Sequence, residues 1–243
     1  MAGYNVKSWY NSIALDYAVM ERWKYFSSFY FRVANRFMEQ NRFDIVIDIG
    51  CGSGVLVNAL AAKYPLVRFI GIDISENLLD MARAQNKNKN AEFVNADLSE
   101  YKQELINLGL TGKKVLFLLF GVVAHYQSSD LFIKAITDIW NTTSNSMMIV
   151  TYHNKLILFR SFFIREGKKY WTEEEALAIF CNAKAKLICS RYIHFLVFAF
   201  LISTLRLRFG HRLLLLIERL LAKVPLRLRK IIFTDFLHVY QRI

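Results

Sequence analysis

Cysteine and proline are both scarce in this 243-residue chain, with three of the first and two of the second. Cys51, Cys181 and Cys189 are odd in number and form no C-x-x-C pair, so neither a disulfide framework nor a zinc site is expected, and no residue is assigned to a metal. Pro65 and Pro225 mark no interdomain linker, and no internal repeat or low-complexity tract divides the chain. The apolar run from Tyr192 to Leu205 contains His194, Ser203 and Thr204 and falls short of the roughly 20 residues that span a bilayer, which disfavours a transmembrane helix. The segment Met1 to Lys7 is polar and unlike a signal sequence, and no lipidation motif is present. A reducing cytosol is the expected compartment.

Acidic charge is thin in one region. The net charge of +12 lies almost wholly beyond residue 150, where 17 Lys and Arg face 6 Asp and Glu. There Arg206, Arg208, Arg212, Arg219 and Lys223 are interleaved with Leu213-Leu214-Leu215-Leu216-Ile217. Two readings stay open. The apolar face packs on the core while its arginines sit in water, or a basic amphipathic helix lies on an anionic membrane with its cations reaching for phosphates. An acidic or phosphorylated substrate is a third, weaker use of the charge.

What the chain does have is a run of β-branched residues closing on a glycine turn: Ile45-Val46-Ile47-Asp48-Ile49-Gly50-Cys51-Gly52-Ser53-Gly54. The run reads as a buried parallel strand. The glycines let the backbone turn sharply and approach a ligand, and Val55 to Lys63 continues as a helix whose first N–H groups suit a carboxylate or phosphate. A dinucleotide fingerprint reads G-x-G-x-x-G with an acid about 20 residues on; here Asp48 precedes glycines spaced 50, 52, 54. Two further apolar runs end in acids, Val67 to Asp73 and Ala91 to Asp97. An acid at a strand's end is often only a helix cap, and Asp73 has that option toward Ser75, but capping does not explain three successive strands so equipped.

In these residues, and in Phe120-Gly121-Val122-Val123-Ala124-His125 after a fourth strand, the chain resembles the class I S-adenosylmethionine-dependent methyltransferases. The resemblance implies an α/β fold: a Rossmann-like, doubly wound, mostly parallel seven-stranded sheet with an antiparallel C-terminal hairpin, the basic apolar helix being an insertion in that hairpin. It implies S-adenosylmethionine as cofactor and S-adenosylhomocysteine as product. Asp48 would then belong to the cofactor site, with the turn of Gly50, Cys51, Gly52 and Gly54 bordering the methionine part, Asp73 the ribose, Ile74 and Leu98 the adenine faces, Asp97 the adenine amino group, and Phe120 both cofactor and acceptor. Cys51 is read as a small residue that fits, not as a nucleophile.

The sulfonium is already a strong methyl donor, so a dedicated base is optional. His125 is the leading candidate to orient or deprotonate an acceptor, since its ordinary pKa lies near working pH; the alternative is a loop hydrogen bond. Tyr126 and His153 rank after it. No N/D-P-P-Y/F tetrapeptide follows the fourth strand, so the resemblance points to small-molecule or lipid-like acceptors over nucleic-acid bases. An RNA methyltransferase and an inactive cofactor-binding scaffold are the alternatives. A single domain is expected, with residues 1–42 as a helical lid, 43–152 as the cofactor-binding core and 153–243 as the C-terminal part. Predicted helices cover Ser8 to Met20, Arg22 to Gln40, Glu76 to Gln85, Ser99 to Leu108 and Ser128 to Trp140; predicted strands include Val115 to Leu119, Met147 to Tyr152, Leu187 to Phe198 and Phe233 to Tyr240. Thr172 followed by Glu175 is a capping-box entry.

Overall fold

A computed structural model describes residues 5–21, 24–97, 108–125, 129–156, 168–180, 185–195, 220, 223–225 and 233–242. Seven strands form one sheet: β1 (Ile45–Ile49), β2 (Arg68–Asp73), β3 (Ala91–Asn95), β4 (Val115–Leu119), β5 (Met147–His153), β6 (Ala185–Phe195) and β7 (Phe233–Arg242). Their spatial order is β3-β2-β1-β4-β5-β7-β6. The first five run parallel; β7 is antiparallel to both β5 and β6. This is the expected doubly wound sheet with its antiparallel C-terminal pair. Chain order reverses between β1 and β4, which opens a crevice at the carboxyl ends of those strands, where ligands of such sheets sit.

The helices are α1 (Val6–Ser12), α2 (Ala14–Glu21), α3 (Lys24–Gln40), α4 (Val55–Lys63), α5 (Glu76–Gln85), α6 (Ser129–Thr142) and α7 (Glu173–Ile179). Both sheet faces are covered, which is why β4 is a continuous apolar run. Val115, Phe117 and Leu119 join Ile136, Trp140 and Ala176 under α6 and α7. Leu116 and Leu118 join Ala34, Met38, Val57 and Leu60 under α3 and α4. Each fully buried large apolar side chain is worth roughly 1.5–3 kcal/mol, so these two layers are the principal source of stability.

Several boundaries differ from the sequence expectation. The predicted Ser8 to Met20 helix breaks at Ile13, whose backbone (φ −108°, ψ 12°) leaves the helix and whose N–H bonds Trp9 O. This splits one rod into α1 and α2, both of which pack near α5. β6 begins two residues before the predicted Leu187. The polar stretch at 85–90 is more than a loop: Asn90 Nδ2 donates to Ala61 O, Tyr64 O and Val67 O, pinning the end of α4 to the sheet. Thr172 and Glu175 make both bonds of the capping box. The predicted helix at 99–108 and the basic apolar stretch at 206–223 lie outside the described residues, apart from half-buried Leu108 and exposed Leu220 and Lys223. Among the described residues no helix is long and apolar enough to cross a membrane.

Candidate active site

The glycine turn after β1 is closed by backbone bonds to the neighbouring strand. Gly50 N and Cys51 N both donate to Ile72 O at 2.7 and 3.0 Å, and Gly54 N donates to Cys51 O at 3.0 Å. Gly50, Gly52 and Gly54 all have positive φ, at 74°, 55° and 73°. Their reasons differ. A Cβ on Gly54 would stand 2.7 Å from Ala82 Cβ and from the Phe93 ring, so this glycine lets α4, α5 and β3 close up. One on Gly50 would stand 3.0 Å from Val122, so this glycine keeps space beside the loop that follows β4. Cys51 is buried, with Sγ 3.8 Å from Gly52 O, as a packing residue would be.

Asp73 ends β2 and is only 8% exposed. Oδ2 accepts from Gly52 N and Oδ1 from Ser75 N, each at 2.9 Å. Burial pushes its carboxyl up from the ordinary value, while the amides of Ser75, Gly52 and Ile74 pull the other way. The cap of α5 is Ser75, whose hydroxyl accepts from Leu78 N, so capping does not account for Asp73. Asn95 Nδ2 holds the Asp73 and Ile74 carbonyls at 3.1 and 3.0 Å, fixing the strand end from β3.

These strand ends border an open cavity with about 550 Å³ of empty space. Ile49, Gly50, Ile72, Asp73, Ile74 and Ala96 form one part of its wall. The remainder comes from Phe120 to Val122, from His125, and from Tyr10 and Tyr17 on the N-terminal helices. His125 closes a 3-10 turn (Val123–His125), is 9% exposed, and places Nε2 2.7 Å from Tyr10 Oη with the rings 5.2 Å apart. Tyr17 packs edge-on against Tyr10 at 5.2 Å. Asn11 ties the same helix to the cofactor side: its Oδ1 accepts from Ser75 Oγ and its carbonyl from Asn77 Nδ2. Tyr30 of α3 stacks on Phe120 at 4.4 Å and 17°.

Residues 46–131 match the family model described as a methyltransferase domain. Over these residues the chain carries the sequence of a methyltransferase domain, and its sheet has the Rossmann-like fold of solved S-adenosylmethionine-dependent methyltransferases. Among solved structures it is similar to magnesium protoporphyrin IX methyltransferase of Synechocystis PCC 6803 with bound S-adenosylhomocysteine, at a TM-score of 0.64 and 13% identity over 98% of each chain. It is 36% identical over 61 residues to malonyl-[acyl-carrier protein] O-methyltransferase of Acetivibrio thermocellus, covering 25% of this chain and 21% of the relative. It is 32% identical over 104 residues to ribosomal RNA large subunit methyltransferase G of Psychromonas ingrahamii, covering 41% of this chain and 26% of the relative. The chain thus spans about a quarter or less of the length of these curated relatives.

The described wall fits an adenosyl cofactor. Asp73 supplies a buried carboxylate with acceptor capacity beyond its amide bonds; Ile74 and Ala96 supply aliphatic walls; and Gly50 keeps the backbone accessible. Of the residues singled out in the sequence, Gly50, Asp73, Ile74, Phe120 and His125 line one cavity. Cys51, Gly52 and Gly54 shape the turn behind it, half-buried Asp97 follows lining Ala96, and Asp48 is buried within β1. Leu98 and Tyr126 lie outside the described residues. Tyr10 was not singled out. Its signal was its one-face spacing with Ala14 and Tyr17, overshadowed by the denser aromatics of α3.

Proposed function

We propose that this methyltransferase acts on a small-molecule or lipid-like acceptor seated between the N-terminal helices and the loop after β4. The observation that carries the reading is the Tyr10–His125 pair: a side chain from the covering helix meets one from the β4 loop over the cavity. That arrangement covers part of the open cavity with aromatic rings, suited to a small acceptor more than to a polymer. S-adenosylmethionine, when bound, supplies an activated methyl group; the chain's own task is to place the acceptor and keep water out. The Tyr10 and His125 side chains share one hydrogen at 2.7 Å. His125 is thereby positioned to accept a hydrogen bond from an acceptor hydroxyl or amine when Tyr10 yields it. The test is methyl transfer from tritiated S-adenosylmethionine to a small-molecule extract and, separately, to total RNA. Label entering the small-molecule fraction, and falling at least ten-fold in His125→Ala, supports the reading; label entering RNA alone overturns it.

The second reading, an RNA acceptor, is favoured by the net positive charge beyond residue 150 and by the ribosomal RNA relative. Its signature is RNA affinity that falls steeply with salt. Cytosolic residence with peripheral membrane contact through Arg206, Arg208 and Arg212 is part of the leading proposal. Exchanging the three for Gln reduces sedimentation with anionic vesicles if it is correct, and leaves it unchanged if the stretch only packs on the core.

A further inference from the structure

Resting on the methyltransferase reading of this cavity, we infer that His153 and Asp235 form a binding site for an amine on the acceptor. Neither residue stands in the cavity wall beside Asp73 and Ile74, and the two lie 82 positions apart in sequence. They face one another across β5 and β7 with Nδ1 to Oδ1 at 2.5 Å. A carboxylate only accepts, so Nδ1 carries the hydrogen, and Nε2, turned away from this orienting partner, is an acceptor whenever the ring is neutral. Side-chain exposures of 25% and 15% leave the pair accessible yet sheltered.

Backbone and side-chain bonds tie the pair's strand to the cavity wall. The last pair of β4 and β5 is Leu119 with Val150, three residues before His153. Two residues earlier, on the same face of β5, Thr151 Oγ1 accepts from Gly121 N at 2.7 Å, tying β5 directly to the cavity wall. Residues 169–171 close the other side: Lys169 N donates to Ala124 O and Trp171 N to His153 O, both at 2.8 Å, and the Tyr170 ring lies 5.5 Å from that of His153. The face of the sheet that carries Thr151 and His153 is the one covered by α3, whose Tyr30 stacks on Phe120.

The chemistry favours an amine over a carboxylate. A neutral imidazole backed by an ionised carboxylate presents a lone pair with negative charge behind it, which attracts an N–H donor and repels an anion. The Tyr170 ring beside His153 adds an aromatic face, which also favours a cation. Asp73 is the acidic or basic side chain, histidine aside, of the described cavity wall, and it too is an acid.

The test uses the full chain labelled with 15N at histidine and saturated with S-adenosylhomocysteine. Calorimetry first establishes S-adenosylhomocysteine binding; its failure there strikes the methyltransferase reading, not this one. The saturated protein is then titrated at pH 8 with phenethylamine and with phenylacetate. The expected result is a saturable movement of the His153 Nε2 resonance with phenethylamine, at an affinity at least ten-fold above that for phenylacetate. Asp235→Asn then weakens phenethylamine at least ten-fold while S-adenosylhomocysteine affinity stays within two-fold. Equal or tighter phenylacetate binding, amine binding that leaves His153 unmoved, or no saturable amine binding overturns the proposal. The comparison of the two probes on the unaltered protein stands even if Asp235→Asn fails to fold.

Discussion

Polar groups are held differently in the two halves of the sheet. On the β1–β3 side, Asp73 is gripped by the amides of Gly52 and Ser75, and Asn95 in turn grips the Asp73 and Ile74 carbonyls. On the β5–β7 side, side chains hold one another: His153 with Asp235, His238 with Tyr240, and Ser190 and Tyr192 with Glu173. The first arrangement has little freedom, because a backbone amide cannot leave without unmaking a turn or strand. The second changes with a single rotamer or proton. A rigid half suits an invariant cofactor, and an adjustable half suits the acceptor, whose chemistry varies among relatives.

The largest expected effect breaks the rigid half. Gly54→Ala combines a positive φ with a Cβ 2.7 Å from Ala82 and Phe93, and is expected to cost about 3 kcal/mol or more in denaturant unfolding. Gly112→Ala has a similar φ of 71° but open space around the new Cβ, and should cost only about 1 kcal/mol. Equal losses at the two sites would show that backbone strain alone matters in the turn.

Next comes acid sensitivity in the adjustable half. His238 is fully buried, and burial lowers its pKa from 6.5 to about 4, with nearby Glu173 opposing. Between those values the unfolded chain binds the proton and the folded one does not, so stability is intact above about pH 6.5 and is lost as pH falls toward 4. The integrated loss is on the order of 3 kcal/mol. Urea midpoints from pH 7 to 4 should show it, and His238→Gln should flatten that slope; an unchanged slope would assign the acid loss to other groups.

Asp73→Ala should weaken S-adenosylhomocysteine by roughly 1.5 to 3 kcal/mol, the worth of charge-assisted hydrogen bonds. The smallest effect is expected of Tyr10→Phe, which keeps the ring and removes the bond to His125. Hydrogen exchange in α1 should speed by about five-fold, matching a loss of about 1 kcal/mol, while sheet amides stay unchanged. No change in α1 would mean that the Asn11 contacts alone anchor it.

Which features are legible in the sequence follows the same division. The apolar run, the glycine spacing and the acids at strand ends are local, and each forces a particular backbone path, so β1, β2, β4 and β5 and the place of Asp73 could be read directly. The Tyr10–His125 and His153–Asp235 pairs join residues 115 and 82 positions apart. Only the topology brings them together, through α1 folding back over the carboxyl ends and β7 inserting between β5 and β6. His125 is therefore recognisable as a candidate while its partner is not, and His153 gains weight only with Asp235 opposite it. The break at Ile13 was hidden for another reason: the apolar periodicity continues across it, and only packing against α5 shows why two short helices replace one.

The most direct test of the central claim is titration calorimetry of the full chain with S-adenosylmethionine and S-adenosylhomocysteine, with NAD as control, repeated on Asp73→Ala. Micromolar binding of the two sulfur compounds, none of NAD, and a loss on the order of ten- to hundred-fold in the variant are expected. Well-folded protein that binds neither sulfur compound, or binds them equally well without the Asp73 carboxylate, would contradict that claim.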